Sequence, residues 1–281
     1  MIKIVTDSTC DLPPDFYKEL DVTVVPINIQ FGSETYLDGI EIDRETFYRK
    51  INEMGMIPTT SQPSVGQFLE VYEKLAREAT DIISIHVTGK LSGTCRSAEM
   101  AAAEVADKVR VHVFDSLSGS AGLGYMVLEA ARMARAGASV EQILERLRVL
   151  RDRMNIVILV VDLRFARMSG RVGKLQSALA SLLNVKIIVT AEGGLLELKE
   201  KVRTTARAVD RMVEMFKEKL GTEAPVNLAV VHAQAPDEGL KLMERIKGLF
   251  NYREIFLTDL ATSLAVHFGP GTLGLVGYRI P

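Results

Sequence analysis

The chain has 281 residues, of which 47% are hydrophobic and 25% are charged, and its formal net charge at pH 7 is −2. This composition is typical of a folded protein with room for two domains, and the near-neutral charge argues against a nucleic-acid-binding protein. No apolar run reaches the roughly 18 residues that a membrane-spanning helix needs, so we expect no stable membrane insertion. A strand pattern begins at Met1-Ile2-Lys3-Ile4 and only two cysteines are present, which predicts a cytoplasmic location.

The first half of the chain alternates short apolar runs with amphipathic segments. The pattern predicts strands at residues 2–5, 82–86 and 109–114, and an extended stretch at 22–31 whose Pro26 indicates an edge or irregular strand. It predicts helices at residues 13–20, 43–54, 64–79, 92–105 and 122–136. Because parallel neighbours need a long return path through a helix, this alternation predicts a doubly wound, mostly parallel sheet.

A charged helix at residues 140–152 precedes a second strand pattern, so we divide the chain into an N-terminal domain, 1–154, and a C-terminal domain, 155–281. The second pattern predicts strands at residues 155–161, 185–191, 195–202, 226–232, 253–258 and 273–280, with helices at 204–219 and 237–250. Glu192-Gly193-Gly194 is a hairpin signal. The C-terminal domain is therefore predicted to carry a mixed sheet, and the fold class of the whole chain is α/β with two α/β domains.

Ser and Thr residues gather in four turns of the N-terminal domain. The turns are Thr6-Asp7-Ser8-Thr9, residues 59–64, Ser92-Gly93-Thr94 and residues 115–120. Segments that follow parallel strands meet at the carboxyl edge of the sheet, where ligands bind, and a Ser or Thr that opens a helix lies beside free N–H groups. Any one of these turns is explained by helix capping alone, but the four together predict an anion-binding site.

Four histidines are present, and they differ in context. His86 and His112 lie inside apolar strand runs, which is typical of core or sheet-face residues, and His232 ends a strand. His267 precedes the glycine-rich segment 268–271, where the backbone can approach a ligand closely, and an imidazolium can donate to a carboxylate. None of the four has the spacing of a zinc site, so we predict no metal.

These residues carry a resemblance to the DegV family over essentially the whole chain. The matching segments occur in the family's order and approximate spacing, and they are 6–13, Asp38-Gly39, 60–64, Leu91-Ser92-Gly93-Thr94, Asp115-Ser116, Ser169-Gly170-Arg171 and 267–271. DegV-like proteins hold one long-chain fatty acid between two domains. Some of them present it to a separate kinase, which phosphorylates the carboxylate to an acyl phosphate.

The resemblance implies roles for particular residues of this sequence. Thr60, Ser92 and His267 are implied to surround the fatty-acid carboxylate, with Ser61 and Thr94 as neighbouring donors. Arg171 resembles the family arginine that faces the phosphate or the partner, although Met168-Ser169-Gly170 supplies one glycine where the family often has two.

Arg203 and Arg207 lie where the family tends to be basic, and a solvated helix face explains them equally well. The resemblance implies no cofactor beyond the bound fatty acid and no partner beyond the acid and the possible kinase.

Two other classes of function stay open on the sequence. An acyl hydrolase or transferase would use Ser92 as nucleophile and His267 as base, and a regulatory or interaction module would need no pocket. The residue spacing identifies no nucleophile–base pair, so we predict a carrier and not an enzyme.

Overall fold

The computed structural model describes residues 1–171 and 185–280. The chain separates into two compact units. The first consists of Met1–Asp152 together with Ala261–Ser263, and the second of Arg153–Leu260 together with Leu264–Pro281. The first unit thus includes the short segment 261–263, which follows most of the second unit along the chain.

The first unit combines seven strands with six helices among the described residues. The strands are β1 (Ile2–Asp7), β2 (Val22–Val25), β3 (Asn28–Phe31), β4 (Glu34–Leu37), β5 (Thr59–Ser61), β6 (Asp81–His86) and β7 (Arg110–Asp115). The helices are α1 (Pro14–Glu19), α2 (Arg44–Met54), α3 (Val65–Leu75), α4 (Thr94–Glu104), α5 (Ser120–Arg135) and α6 (Val140–Arg153).

Four strands of this unit form the predicted parallel sheet, in the order β2-β1-β6-β7. Every pair in it is parallel, with Ile4 opposite Val22 and Ile83 opposite His112. β6 is buried at all six positions, as expected for a central strand covered on both faces. The hydrophobic core beside this sheet includes Val5, Phe68 and Tyr72, all fully buried.

The extended stretch predicted at 22–31 is two strands in different sheets. β2 joins the parallel sheet, whereas β3 pairs antiparallel with β4 and β5 in a separate three-stranded sheet. Pro26 lies between them and has no N–H for a ladder, which accounts for the break. Residues 59–61, predicted as a turn, form β5, in which Thr60 lies opposite Ile29.

The second unit is built on one mixed sheet, as predicted. Its strands are β8 (Asn155–Val160), β9 (Lys186–Glu192), β10 (Leu195–Val202), β11 (Val226–His232), β12 (Tyr252–Asp259) and β13 (Leu273–Arg279). They follow the order β10-β9-β8-β13-β11-β12, and the one parallel pair of neighbours recorded among them is β11–β12. The helices are α7 (Leu163–Ser169), α8 (Thr205–Leu220), α9 (Pro236–Lys247) and α10 (Thr262–Phe268), of which the first two residues of α10 cluster with the first unit.

Two short helices, α7 and α10, were not predicted. Each has seven residues, too few to give a clear helical period, and α7 is signalled only by Asp162, whose side chain accepts from Arg164 N, and by Gly170 at its end. None of the helices in the described ranges combines the length and the apolar content needed to cross a bilayer.

Candidate functional site

The carboxyl edge of the parallel sheet gathers the turns that follow β1, β6 and β7. Because these strands run in the same direction, the turns beginning at Ser8, Val87 and Ser116 all leave from the same edge. Hydrogen bonds connect neighbouring turns at this edge. For example, Thr88 N, in the turn after β6, donates to Ser118 O, in the turn after β7, at 2.8 Å. The sequence analysis predicted a ligand site at this edge.

Asp7, at the end of β1, joins the first two turns. Its Oδ1 accepts from Thr9 N at 3.0 Å and from Thr9 Oγ1 at 2.5 Å, and its Oδ2 accepts from Val87 N at 2.9 Å. Burial by itself would raise the pKa of Asp7, but the hydrogen bonds from His86, Thr9 and Val87 hold it below its usual value. The carboxylate is therefore a fixed acceptor between the turns.

Asp115, at the end of β7, joins the second and third turns in the same way. Its Oδ1 accepts from Gly89 N at 3.1 Å and from Leu117 N at 2.9 Å. A Cβ at Gly89 would lie 2.8 Å from Asp115 Oδ2, so the close approach of Asp115 requires a glycine at this position.

Two more buried aspartates, Asp38 and Asp11, hold the segment 261–263 in the first unit. Asp38 accepts from Ser8 Oγ at 2.8 Å, from Ser263 N at 3.3 Å and from the Thr262 hydroxyl. Burial raises the pKa of Asp38 despite these donors.

Asp11 accepts from Ser120 Oγ at 2.5 Å and from Ala261 N at 2.9 Å. Burial raises the pKa of Asp11 to about 8, although both of these donors oppose the shift.

The contacts of these four aspartates were not predicted from the sequence. A signal was present, since Asp7 and Asp115 each end a strand and each precedes a hydroxyl-rich turn. An aspartate at that place can accept from N–H groups of its own turn and of the neighbouring one.

Gln62 connects the two segments of the first unit that carry the predicted hydroxyl donors. Gln62 follows Thr60 and Ser61, its Nε2 donates to Ser97 Oγ at 3.2 Å, and its amide lies directly over Gly93. Asn28 Nδ2 holds the same turn by donating to Gln62 O at 3.0 Å. The strand carrying Thr60 and the turn carrying Ser92 are therefore neighbours.

Ser92 and Thr94 stand at the first turn of α4. Their hydroxyls share a hydrogen bond of 2.8 Å, and Thr94 N donates to Ser92 Oγ at 3.3 Å. The N-cap is Gly93, which offers no side-chain cap. The first turn of a helix leaves N–H groups without intrahelical partners, so hydroxyl and N–H donors converge here in a form suited to a carboxylate.

His267 lies in the last turn of α10, in the second unit, and is partly buried. Burial lowers the pKa of His267 to about 4, and the positive charge of Arg171 acts in the same direction. This low pKa favours the neutral imidazole at pH 7, whereas the sequence predicted an imidazolium as the donor. The next residue but one, Gly269, has φ +74°, and a Cβ there would lie 2.6 Å from the Phe165 ring, so only glycine fits.

The three predicted arginines lie in the second unit and are exposed. Arg171 follows Gly170 at the end of α7, and its N donates to Ser169 Oγ at 3.2 Å. Arg203 precedes α8, and Arg207 lies in its first turn, where its N donates to the N-cap hydroxyl of Thr204 at 3.4 Å.

The two cysteines, Cys10 and Cys95, are free and buried. Burial raises the pKa of both thiols far above the usual value, so neither has the thiolate character that a reactive cysteine requires. Within residues 1–171 and 185–280, no group of three or more His, Cys, Asp and Glu side chains is arranged to hold a metal ion.

Comparison with known proteins gives one consistent family. A model described as "Uncharacterised protein, DegV family" matches residues 1–279. A DegV domain-containing protein of Halalkalibacterium halodurans is 36% identical over 278 residues, covering 99% of this chain and 98% of the relative.

Two solved structures are also similar over the full length. A DegV family protein from Thermus thermophilus, described by its fatty acid binding, has a TM-score of 0.91 and 34% identity, with 99% of each chain covered. DegV of Bacillus subtilis, described as a fatty acid binding protein, has a TM-score of 0.91 and 31% identity, again with 99% of each chain covered.

Proposed function

The chain belongs to the DegV family, and on that premise we propose that it binds one long-chain fatty acid. The observation that supports the proposal is the pair of hydroxyls of Ser92 and Thr94 at the start of α4, beside which Gln62 holds the strand of Thr60. The fatty-acid-binding descriptions of two full-length structural relatives support it.

The proposal assigns the carboxylate to particular donors. In the first unit these are Thr60, Ser61, Ser92 and Thr94, and in the second unit His267 is a further donor. Hydrogen bonds to a charged group contribute roughly 1.5 to 3 kcal/mol each. A small set of such donors is therefore enough to decide which end of the acid is held.

The alkyl tail supplies most of the affinity in this proposal. Burying about fifteen methylenes at roughly 0.8 kcal/mol each gives on the order of 12 kcal/mol before the costs of association. The polar donors then select the carboxylate end, and the apolar lining selects the chain length.

The protein acts as a carrier in this proposal, and a separate kinase converts the bound acid into its acyl phosphate. Arg171, Arg203 and Arg207 would face that partner or the new phosphate, since exposed guanidinium groups bind phosphate oxygens in pairs. A cytoplasmic location is part of the same proposal, supported by two cysteines that remain free thiols.

The alternative of an acyl hydrolase draws no support from the contacts of Ser92. Among the residues that the structure describes, its hydroxyl forms hydrogen bonds with Thr94, which is the arrangement of a turn and not of a nucleophile activated by a base.

A titration of the delipidated protein tests the proposed function. Calorimetry should give one site for a saturated long-chain acid and much weaker binding for the alcohol of equal length. The alcohol lacks the carboxylate to which the Ser and Thr hydroxyls would donate hydrogen bonds. Equal affinity for acid and alcohol would contradict the assigned carboxylate site, and absence of binding to either would contradict the function.

A further inference from the structure

A row of four buried side chains crosses the first unit beneath the hydroxyl turns. Tyr72 OH lies 2.7 Å from Ser84 Oγ, Ser84 Oγ lies 2.7 Å from His86 Nε2, and His86 Nδ1 lies 3.0 Å from Asp7 Oδ2. All four side chains are inaccessible to solvent. The ring of Phe68 packs edge-on against the His86 ring, with 5.0 Å between the ring centroids.

The serine, histidine and aspartate in this row have the order of an acid–base triad, but they have no access to a substrate. A nucleophile must reach its substrate, so a fully buried Ser84 does not fit catalysis. The row therefore has to be explained by what its ends hold in place.

The Asp7 end of the row holds two turns. Besides the His86 ring, Asp7 accepts from Thr9 in the turn after β1 and from Val87 N in the turn after β6. The next residue, Thr88, accepts through its carbonyl from Ser92 N at 3.2 Å. Two hydrogen bonds thus connect Asp7 to the backbone of Ser92.

We propose that Tyr72, Ser84 and His86 are positioning residues, which fix the orientation of Asp7 and through it the placement of the Ser92 turn. The proposal rests on the proposed function in so far as that turn receives the fatty-acid carboxylate. A carboxylate has two oxygens, and the imidazole fixes one of them, so the other is directed at Thr9. Loss of the imidazole leaves Asp7 able to rotate or to lose Val87.

A matched control exists on the same sheet. His112, in β7, contacts Asp81 through Nε2 at 3.1 Å, with Asp81 at the amino end of β6. This second histidine–aspartate pair lies at the edge opposite to the hydroxyl turns. A general loss of stability would affect both pairs, whereas a positioning function belongs to His86 alone.

The experiment compares His86→Gln, Ser84→Ala and Tyr72→Phe with the control His112→Gln. We expect fatty-acid affinity to fall roughly tenfold for His86→Gln, less for Ser84→Ala and by about twofold or less for Tyr72→Phe, because each change is one hydrogen bond further from Asp7. His112→Gln should bind as the wild type does. Circular dichroism and chemical denaturation identify which variants are folded at the temperature of the binding assay.

Backbone amide NMR of the ligand-free proteins gives a readout that does not depend on the ligand. The signals of Thr9, Val87 and Ser92 should shift in His86→Gln and stay in place in His112→Gln. If His86→Gln is unfolded, Ser84→Ala and Tyr72→Phe replace it in both measurements.

The outcomes separate the two claims. The positioning inference is overturned if the folded variants of His86, Ser84 and Tyr72 keep wild-type affinity and their Thr9, Val87 and Ser92 amide signals do not move. If the wild type binds no fatty acid, the proposed function fails, and the amide shifts alone then decide whether the row positions the turns.

Discussion

The side-chain amide of Gln62 covers Gly93 so closely that a Cβ at Gly93 would lie 2.1 Å from Gln62 Oε1. The backbone of Gly93 itself has φ −84° and ψ 9°, which any residue can adopt. The glycine is therefore needed for the approach of Gln62 and not for its own conformation. This contact joins the strand that carries Thr60 to the turn that carries Ser92.

Gly93→Ala should displace Gln62 and weaken fatty-acid binding while leaving the fold intact. The displaced atom is the end of a flexible side chain, so the protein can yield locally, but the bond from Gln62 to Ser97 is then lost. We expect an affinity loss of roughly 1 kcal/mol, the typical value of one hydrogen bond. Calorimetric titration measures it.

Gly66→Ala is the matched control for that variant. Gly66 lies in α3, where a Cβ would meet only Ser64 Oγ at 3.7 Å, and alanine is the better helix former. Normal binding by this control with weakened binding by Gly93→Ala is the expected pair of results. Normal binding by both would mean that the Gln62 contact does not shape the site.

Removing a single proposed hydroxyl donor should weaken binding without unfolding the protein. For Thr60→Val and Ser92→Ala we expect losses of roughly 1 to 3 kcal/mol in binding free energy, as for a donor lost to a charged group. Thr59→Val is the control, since Thr59 is exposed on the same strand and its hydroxyl contacts Gln30. If Thr60→Val and Ser92→Ala bind the acid as tightly as Thr59→Val does, the Thr60 and Ser92 hydroxyls do not contact the carboxylate.

The pKa of His267 should rise when Arg171 is replaced by Ala. Burial is the larger cause of the low pKa of about 4, and the Arg171 charge is the second, so removal of the charge raises the pKa without restoring the usual value. NMR titration of the His267 ring protons measures this pKa. Arg164→Ala, whose guanidinium is paired with Asp162, should leave the titration unchanged, and no change in Arg171→Ala would contradict the account.

A bound carboxylate should raise the pKa of His267 from about 4, because an opposite charge favours the imidazolium. A group with the higher pKa in the complex takes up a proton on binding, so affinity should fall as pH rises from about 4 through the pKa of the complex. Titration of the acid, with the long-chain alcohol as uncharged control, measures this. If His267→Ala keeps the wild-type pH profile, His267 does not contact the carboxylate.

Asp11 should make the first unit less stable as pH rises. Its pKa is raised to about 8 by burial, so the folded protein binds this proton more tightly than the unfolded chain, whose aspartates titrate near 3.9. The stabilisation is complete below about pH 4 and is lost as pH rises to about 8. Denaturation midpoints of Asp11→Asn should therefore vary less over this range than those of the wild type.

Asp43→Asn serves as the control of opposite sign. The backbone hydrogen bond from Thr46 is the main cause of the lowered pKa of Asp43, so its contribution is present at neutral pH and lost only as pH falls below its usual range. A wild-type slope in Asp11→Asn between pH 4 and 8 would show that Asp11 is not the group responsible.

The periodicity of the sequence predicted the parallel sheet and the mixed sheet because most of their strands are apolar segments with clear turn signals between them. It did not predict the separate sheet of β3, β4 and β5. The sequence pattern did not predict β4, because Glu34–Leu37 is partly exposed and polar. It did not predict α7 or α10, because seven residues are too few to show a clear helical period. The hydroxyl turns were found from composition, since Ser and Thr cluster after strands. The contact of Gln62 with Gly93 and the row from Tyr72 to Asp7 join residues far apart in the chain, and a single sequence gives no sign of such pairings.

The central claim is that the protein carries a long-chain fatty acid, and extraction of the natively purified protein tests it most directly. Protein purified from a bacterial host without added lipid is extracted with organic solvent, and the lipids are quantified by mass spectrometry against the protein concentration. The account predicts about one long-chain fatty acid per chain. A preparation that yields no fatty acid, or an even mixture of unrelated lipids, would contradict it.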